Sequence, residues 1–319
     1  MKKQPRFNIK FSHEILLIFM TMVILTLGSL DLFAKEVNGA AYSEISGNKN
    51  TAYLVQDINI LERPYNYLIG TTTFPIIEIL GVLAALGAIG FALLHGFGRF
   101  LANKKIPIIL EETGKEYIYS WITRTGHWLN AITMLGLLIS GFLIHYYGPG
   151  NVSGRIHNVL GYLLVIQYAL FLIYEILSGD IKQYIPQPWE LKEGILKQGL
   201  FYAIGIFKRE EHPYHMKKEA RLNPLQKPAY FGIMFGLLPV VIITGFTLLR
   251  PDIMGFLIGW IGGLENMKFI FIIHLISAFG LLAFLLGHLY LATTGDKVKQ
   301  HFEVMITGFN RIYKYRLKD

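Results

Sequence analysis

The run FIFIIHLISAFGLLAFLLGHLYLATT, Phe269 to Thr294, constrains this chain more than any other stretch. It is long and apolar enough to cross a bilayer, yet it carries His274 and His288, fourteen residues apart. At about 1.5 Å rise and 100° turn per residue, that interval is roughly 21 Å of depth with a lag of about 40°. Both imidazoles therefore share one helix face, one toward each side of a hydrocarbon core about 30 Å thick. Ionisable side chains inside lipid are rare and mark functional positions, and two on one face mark a pair of buried ligand sites. Haem is the natural occupant, one near each membrane surface.

Composition agrees with a membrane chain: 53% of the residues are hydrophobic and 16% charged, and mean hydropathy is +0.42, beyond what a soluble domain carries. The formal charge of +8 does not indicate nucleic acid, because the Lys and Arg gather in particular connections. Nine lie in 179–227 and six in 295–319, against one in 147–155 and two in 250–268. The positive-inside tendency then puts the two richer connections in the cytoplasm and the two poorer turns outside. There is no cysteine, which excludes an iron–sulfur cluster, a thiolate-bound metal and a covalently attached c-type haem on this chain.

The predicted fold is all-α and integral to the membrane: a four-helix transmembrane bundle binding two b haems, with one or two extra N-terminal transmembrane helices. Residues 1–34 join a basic head to sixteen uncharged residues, ILLIFMTMVILTLGSL, and read equally as a signal peptide cut after Ala34 or as an N-terminal anchor. Residues 35–74 read as a periplasmic segment, 75–98 as an additional transmembrane helix, and 99–126 as a cytoplasmic connection. The dihaem core is 127–294, with the cytoplasmic loop 179–227 inside it and a cytoplasmic tail, 295–319, after it. Its spans are His127 to Tyr147, Ile156 to Leu177, Ala229 to Leu249 with a kink expected at Pro239, and the run that ends at Thr294. The outward apolar turn Met254 to Gly263 offers a docking surface.

Two further histidines match the first two in depth. His127, in TRTGHWLN, opens its span on the cytoplasmic side, and His157, in GRIHNVLG, opens the next on the outer side. Six-coordinate haem iron takes axial nitrogens from opposite helices, so His127 can face His288 and His157 can face His274. His145 lies eighteen residues after His127 on the same face, near the outer surface, and remains an alternative outer ligand. Gly136, Gly141, Gly161 and Gly280 offer places for a flat macrocycle to approach backbone. Arg124 and Arg155, close to His127 and His157, can either reach haem propionates or anchor helix ends. His95 reads as an interfacial anchor, and His212 and His215 as solvated loop residues with a lesser claim to a metal.

On these residues the chain resembles the gamma, or cytochrome b, subunit of membrane-bound formate dehydrogenase, within the bacterial dihaem cytochrome b family. The resemblance is carried by TRTGHW, GRIHNVLG, LNPLQKPAYFGIMFGLLPVVIITGFTLLRP and IIHLISAFGLLAFLLGHLYLATTGD, and covers about Arg124 to Phe309. It implies a bacterial inner-membrane protein with a cytoplasmic C-terminus, ligated by His157 and His274 at the outer haem and by His127 and His288 at the cytoplasmic one. It also implies electrons arriving from an iron–sulfur beta subunit, itself served by a molybdenum or tungsten catalytic alpha subunit, and leaving to menaquinone on the cytoplasmic side. Asn223 and Gln226, with Lys227 behind them, match the quinone-contacting stretch of that family, although Leu225 stands where many members have a small residue. The chain has no formate site of its own. The same scaffold serves nickel–iron hydrogenases and thiosulfate or polysulfide reductases, and a reading outside redox chemistry makes the histidines the proton relay of a transporter or part of a haem-free anchor.

Overall fold

A computed structural model of the chain describes residues 75–147, 151–263 and 266–317. The expected signal or anchor of residues 1–34 and the segment 35–74 lie outside the described residues. Five helices among the described residues are long and apolar enough to span a membrane. They are α1 (Pro75–Lys105), α2 (Trp121–Tyr147), α3 (Asn151–Ser178), α5 (Gln226–Leu249) and α7 (Met267–Leu291). Helices α2, α3, α5 and α7 form the bundle, and α1 packs on α7. This is the helical integral membrane architecture that the hydrophobic runs predict.

Bundle packing is apolar at two levels. Leu164, Leu238, Val241 and Leu281 join α3, α5 and α7 in the middle of the molecule. At the outer end Met267, Ile270, Phe271, Leu275 and Phe279 of α7 enclose Ile258 from the short helix α6 (Gly255–Trp260). Helix α6 turns the rest of its surface outward, leaving Phe256 88% and Trp260 80% exposed.

Pro239 acts on the turn before it. Having no N–H, proline cannot bond to the carbonyl four residues back, and its ring collides with that carbonyl. Helix α5 accommodates this with a wide turn over Ile233–Leu237, in which the Leu238 N–H reaches back to the Ile233 carbonyl. The Met234 carbonyl, which loses its helical partner in this turn, accepts from the Tyr168 hydroxyl of α3 at 2.9 Å.

Helix α1 is fastened to the bundle along its length. A Cβ at Gly81 would fall 2.3 Å from the Phe279 ring, so only glycine admits that ring. His95, far from being a free anchor, bonds through Nδ1 to the Tyr290 hydroxyl and through Nε2 to the Tyr202 carbonyl at 2.8 Å. Arg99 donates to the Thr293 carbonyl at 2.8 Å, just past the C-terminus of α7, where a cation is favoured.

The connection after α1 and the C-terminal tail pair with each other. Strand β1 (Ile108–Tyr117) lies antiparallel to β2 (Phe309–Leu317), with a bulge between Glu112 and Gly114. Their residues are separated by most of the chain, so no local pattern announces the pairing. Helix α8 (Gln300–Thr307) leads into β2 through Gly308, whose φ of 84° and close approach to the Tyr119 carbonyl both require glycine.

Within 179–227 a short helix, α4 (Ile195–Ala203), is followed by the entry to α5. Lys227 and Glu190 form a buried ion pair there at 2.6 Å. Removing one partner alone would leave an uncompensated buried charge.

Candidate haem-binding site

The bundle brings the four histidines together in the two pairs that depth predicts. His157 of α3 and His274 of α7 have ring centroids 6.3 Å apart. His127 of α2 and His288 of α7 have theirs 6.1 Å apart. Two metal–nitrogen bonds of about 2.0 Å, plus about 1.1 Å from each nitrogen to its ring centre, put the centroids of imidazoles on opposite faces of one metal about 6.2 Å apart. Both pairs therefore have room for one six-coordinate metal between their rings.

The His157–His274 pair is oriented by a repeated device. Ser140 donates its hydroxyl proton to the Gly136 carbonyl at 2.6 Å, one turn back in α2. Its oxygen is thereby the acceptor for His157 Nδ1–H at 3.0 Å. Thr244 of α5 does the same: its hydroxyl donates to the Val240 carbonyl at 2.7 Å and accepts from His274 Nδ1–H at 3.1 Å. Holding the proton on Nδ1 leaves the Nε2 lone pair of each ring for a metal.

The residue after each hydroxyl is glycine. A Cβ at Gly141 would lie 3.0 Å from His157 Cε1, and one at Gly245 would lie 2.9 Å from His274 Cε1. Ser140–Gly141 and Thr244–Gly245 are thus the same two-residue cradle on two helices. Sequence reasoning overlooked Ser140, Thr244 and Gly245; the available signal was this recurrence of hydroxyl-then-glycine in two apolar spans.

Two apolar cavities adjoin the His157–His274 pair, and both rings' residues line each of them. Leu137, Leu138 and Ala278 are also common to the two walls. Space beside a pair of imidazoles, walled by hydrocarbon, fits a flat apolar macrocycle. Gly141 and Gly161 border this space, whereas Gly136 packs on Leu160 and Gly280 on Leu237, so the latter two serve helix contact rather than a cradle.

At the His127–His288 pair, His288 Nδ1 and the Tyr230 hydroxyl share a 2.9 Å hydrogen bond. The His288 ring stacks on Phe284 and the His127 ring on Trp128. Tyr230, on the first turn of α5, is a further residue that the sequence did not single out.

The remaining candidates have structural uses. Arg124 donates to the Ile306 carbonyl and Trp128 Nε1–H to the Met305 carbonyl at 2.9 Å, so both cap the last turn of α8. Asn223 accepts the backbone N–H groups of Leu225 and Gln226 at 3.0 and 2.9 Å, and Gln226 Oε1 returns a bond to the Asn223 N–H at 3.0 Å. That reciprocal box opens α5. The Asn223 amide nitrogen is 3.5 Å from the Tyr202 hydroxyl.

Among the described residues, no group of three or more His, Asp or Glu is placed to hold a metal ion by itself. His215 sits 3.4 Å from Glu211, and His212 packs against Phe201 with centroids 4.3 Å apart. Burial drives His212 from its usual 6.5 down to about 4, against the pull of Asp296 and with help from His301 and His215. Below pH 6.5 the unfolded chain takes up a proton that the folded chain refuses until about pH 4, so stability falls as pH descends through that window. Thermal unfolding of the detergent-solubilised protein is expected to move to lower temperature across it, and His212→Gln to flatten the trend.

An apolar helical bundle with histidine pairs buried at its core defines a membrane b-type cytochrome. The chain belongs to the prokaryotic cytochrome b561 family, whose description matches residues 118–308. It is 31% identical over 235 residues to the putative cytochrome YdhU of Escherichia coli K12, covering 72% of this chain and 88% of that one. It is also 26% identical to a probable Ni/Fe-hydrogenase B-type cytochrome subunit of Rhodobacter capsulatus, over 62% of this chain and 82% of the relative. A protein of the same description from Rhizobium leguminosarum bv. viciae is 27% identical, over 63% and 90% respectively. No solved structure matches the chain.

Proposed function

We propose that this chain is the dihaem cytochrome b subunit of a bacterial respiratory oxidoreductase, accepting electrons at the outer face of the inner membrane and delivering them to menaquinone near the cytoplasmic face. The observation that carries the reading is the two histidine pairs, with centroids 6.3 and 6.1 Å apart. In this reading His157 and His274 are the axial ligands of the outer b haem, and His127 and His288 those of the cytoplasmic one. Bound haems supply reversible one-electron carriers within reach of both surfaces. The chain contributes the ligand nitrogens, the Ser140, Thr244 and Tyr230 bonds that orient them, and apolar walls that keep water out.

Arg155, two residues before His157, is the propionate partner in this scheme, and Asn223 and Gln226 stand at the cytoplasmic entry to α5 where the quinone headgroup would bind. Helix α6, with Phe256 and Trp260 exposed, is the surface for an iron–sulfur subunit. The loop 179–227 and the C-terminus face the cytoplasm. An electron moving inward works against the membrane potential at about 2.3 kcal/mol per 100 mV, so the donor must be strongly reducing. Formate and hydrogen both satisfy this. Two relatives are described as hydrogenase subunits, which favours the hydrogenase partner as much as formate dehydrogenase.

The complex is tested by purifying the tagged chain with its partners from native membranes and following the haem α-bands after adding formate or hydrogen. Reduction by one substrate names the donor. A colourless chain from haem-replete cells would sink the electron-transfer reading and leave a proton relay or haem-free anchor. The orienting bonds give a separate prediction: Thr244→Val, which keeps shape but removes the acceptor, is expected to weaken haem retention at the outer site about 10- to 100-fold. Competition with excess apo-globin measures it.

A further inference from the structure

His145 has no histidine partner across the bundle, and its surroundings give it another use. Its Nε2 is 3.1 Å from the Glu78 carboxylate of α1, and its side chain is only 6% exposed. Its Nδ1 is buried and has no hydrogen-bond partner among the described residues. The residue also lines an apolar cavity that His157 and His274 border. A buried ring nitrogen without a partner, on a side chain that lines such a cavity, calls for a ligand group.

Position along α2 says which part of a ligand that would be. Gly141, whose Cβ position lies 3.0 Å from the His157 ring, is one helical turn before His145. His145 is therefore about 5–6 Å farther toward the outer end of the helix. A macrocycle held at its centre by His157 and His274 presents its edge at that distance, and the edge of a haem bears two carboxylates. With Nε2 engaged by Glu78, Nδ1 is the ring atom left to bond such a carboxylate. Glu78 lies on α1, outside residues 118–308 that match the family. The holding carboxylate thus comes from an element added to the bundle.

We infer that His145, fixed by Glu78, is the hydrogen-bonding partner of the carboxylate edge of the group between His157 and His274, and that α1 positions it. The inference rests on the ligand assignment proposed above. Tyr146 lies edge-on to the His145 ring at 4.8 Å.

Spectroelectrochemical titration of the purified, haem-loaded full chain tests it, with haem stoichiometry measured in parallel. His145→Gln keeps a polar group beside Glu78 but removes the ring Nδ1, and a haem carboxylate left without its hydrogen-bond partner makes that haem harder to reduce. The expected result is two haems retained, one midpoint potential shifted downward and the other unmoved, with His145→Lys restoring the potential toward that of the unaltered protein. Unchanged potentials with both haems present would overturn the inference. Loss of one haem from His145→Gln would overturn it too, by putting Nδ1 on the iron. Failure of the underlying assignment shows differently: His274→Ala would then leave haem content unchanged, and this inference would fall with it.

Discussion

Alanine at His288 is expected, on the ligation proposed above, to lower the haem content from two b haems per chain to one. His127→Ala should give the same stoichiometry, and the double variant should lose nothing more, because the two rings, 6.1 Å apart, would serve a single iron. His274→Ala should remove the other haem independently. Removing an axial histidine takes away a metal bond, and the hydrogen bond between His288 Nδ1 and Tyr230 is lost with the ring. The pyridine haemochrome assay on protein of known concentration measures the count. Retention of both haems in His288→Ala would show that the ring is not a ligand and would return it to the role of a buried, Tyr230-bonded core residue.

Valine at Gly245 is expected to empty the outer site almost as completely, though no ligand is changed. The added Cβ would sit 2.9 Å from His274 Cε1, closer than nonbonded carbons approach, and two further methyl groups would have to fit around it. The imidazole is trapped between that position and its own Nδ1 bond to Thr244, so it cannot retreat without losing its orientation. A misplaced ring fails as a ligand even when it is chemically intact. Gly141→Val should act likewise through His157. Gly87→Ala on α1, where a Cβ would meet nothing within 4 Å, is the matched control and should keep both haems. Redox difference spectra distinguish the outcomes, and a Gly245→Val protein with both haems and unshifted bands would remove the cradle from the account.

These two experiments separate what a sequence can and cannot disclose. Histidine in lipid is costly enough that its presence is informative, and the 3.6-residue period converts a fourteen-residue spacing into a shared face at two depths. The pairs His127–His288 and His157–His274 were legible for that reason. So were the hydrophobic runs, since a span must satisfy its backbone within one helix and therefore shows itself as one continuous segment.

The orienting shell was not legible, because a Ser, Thr or Tyr inside a span is common, and its partner lies on another helix at a distance set by packing. Thr244 is thirty residues from His274, and only the crossing of α5 with α7 makes them neighbours. Arg124, Asn223 and Gln226 look alike in sequence whether they touch a cofactor or cap a helix. The fold presents the carbonyl of Ile306 to Arg124, a contact that no local pattern announces, and the N–H groups of Leu225 and Gln226 to Asn223.

By itself, then, the sequence determined the membrane class, the spans and the paired histidines, all consequences of periodicity and of the cost of polarity in hydrocarbon. Only the tertiary structure decided that His145 belongs with Glu78 rather than across from another histidine, that 108–117 pairs with 309–317, and which hydroxyls orient the rings. Each of those depends on contacts between distant segments, and such contacts are fixed by how whole helices pack rather than by any local pattern.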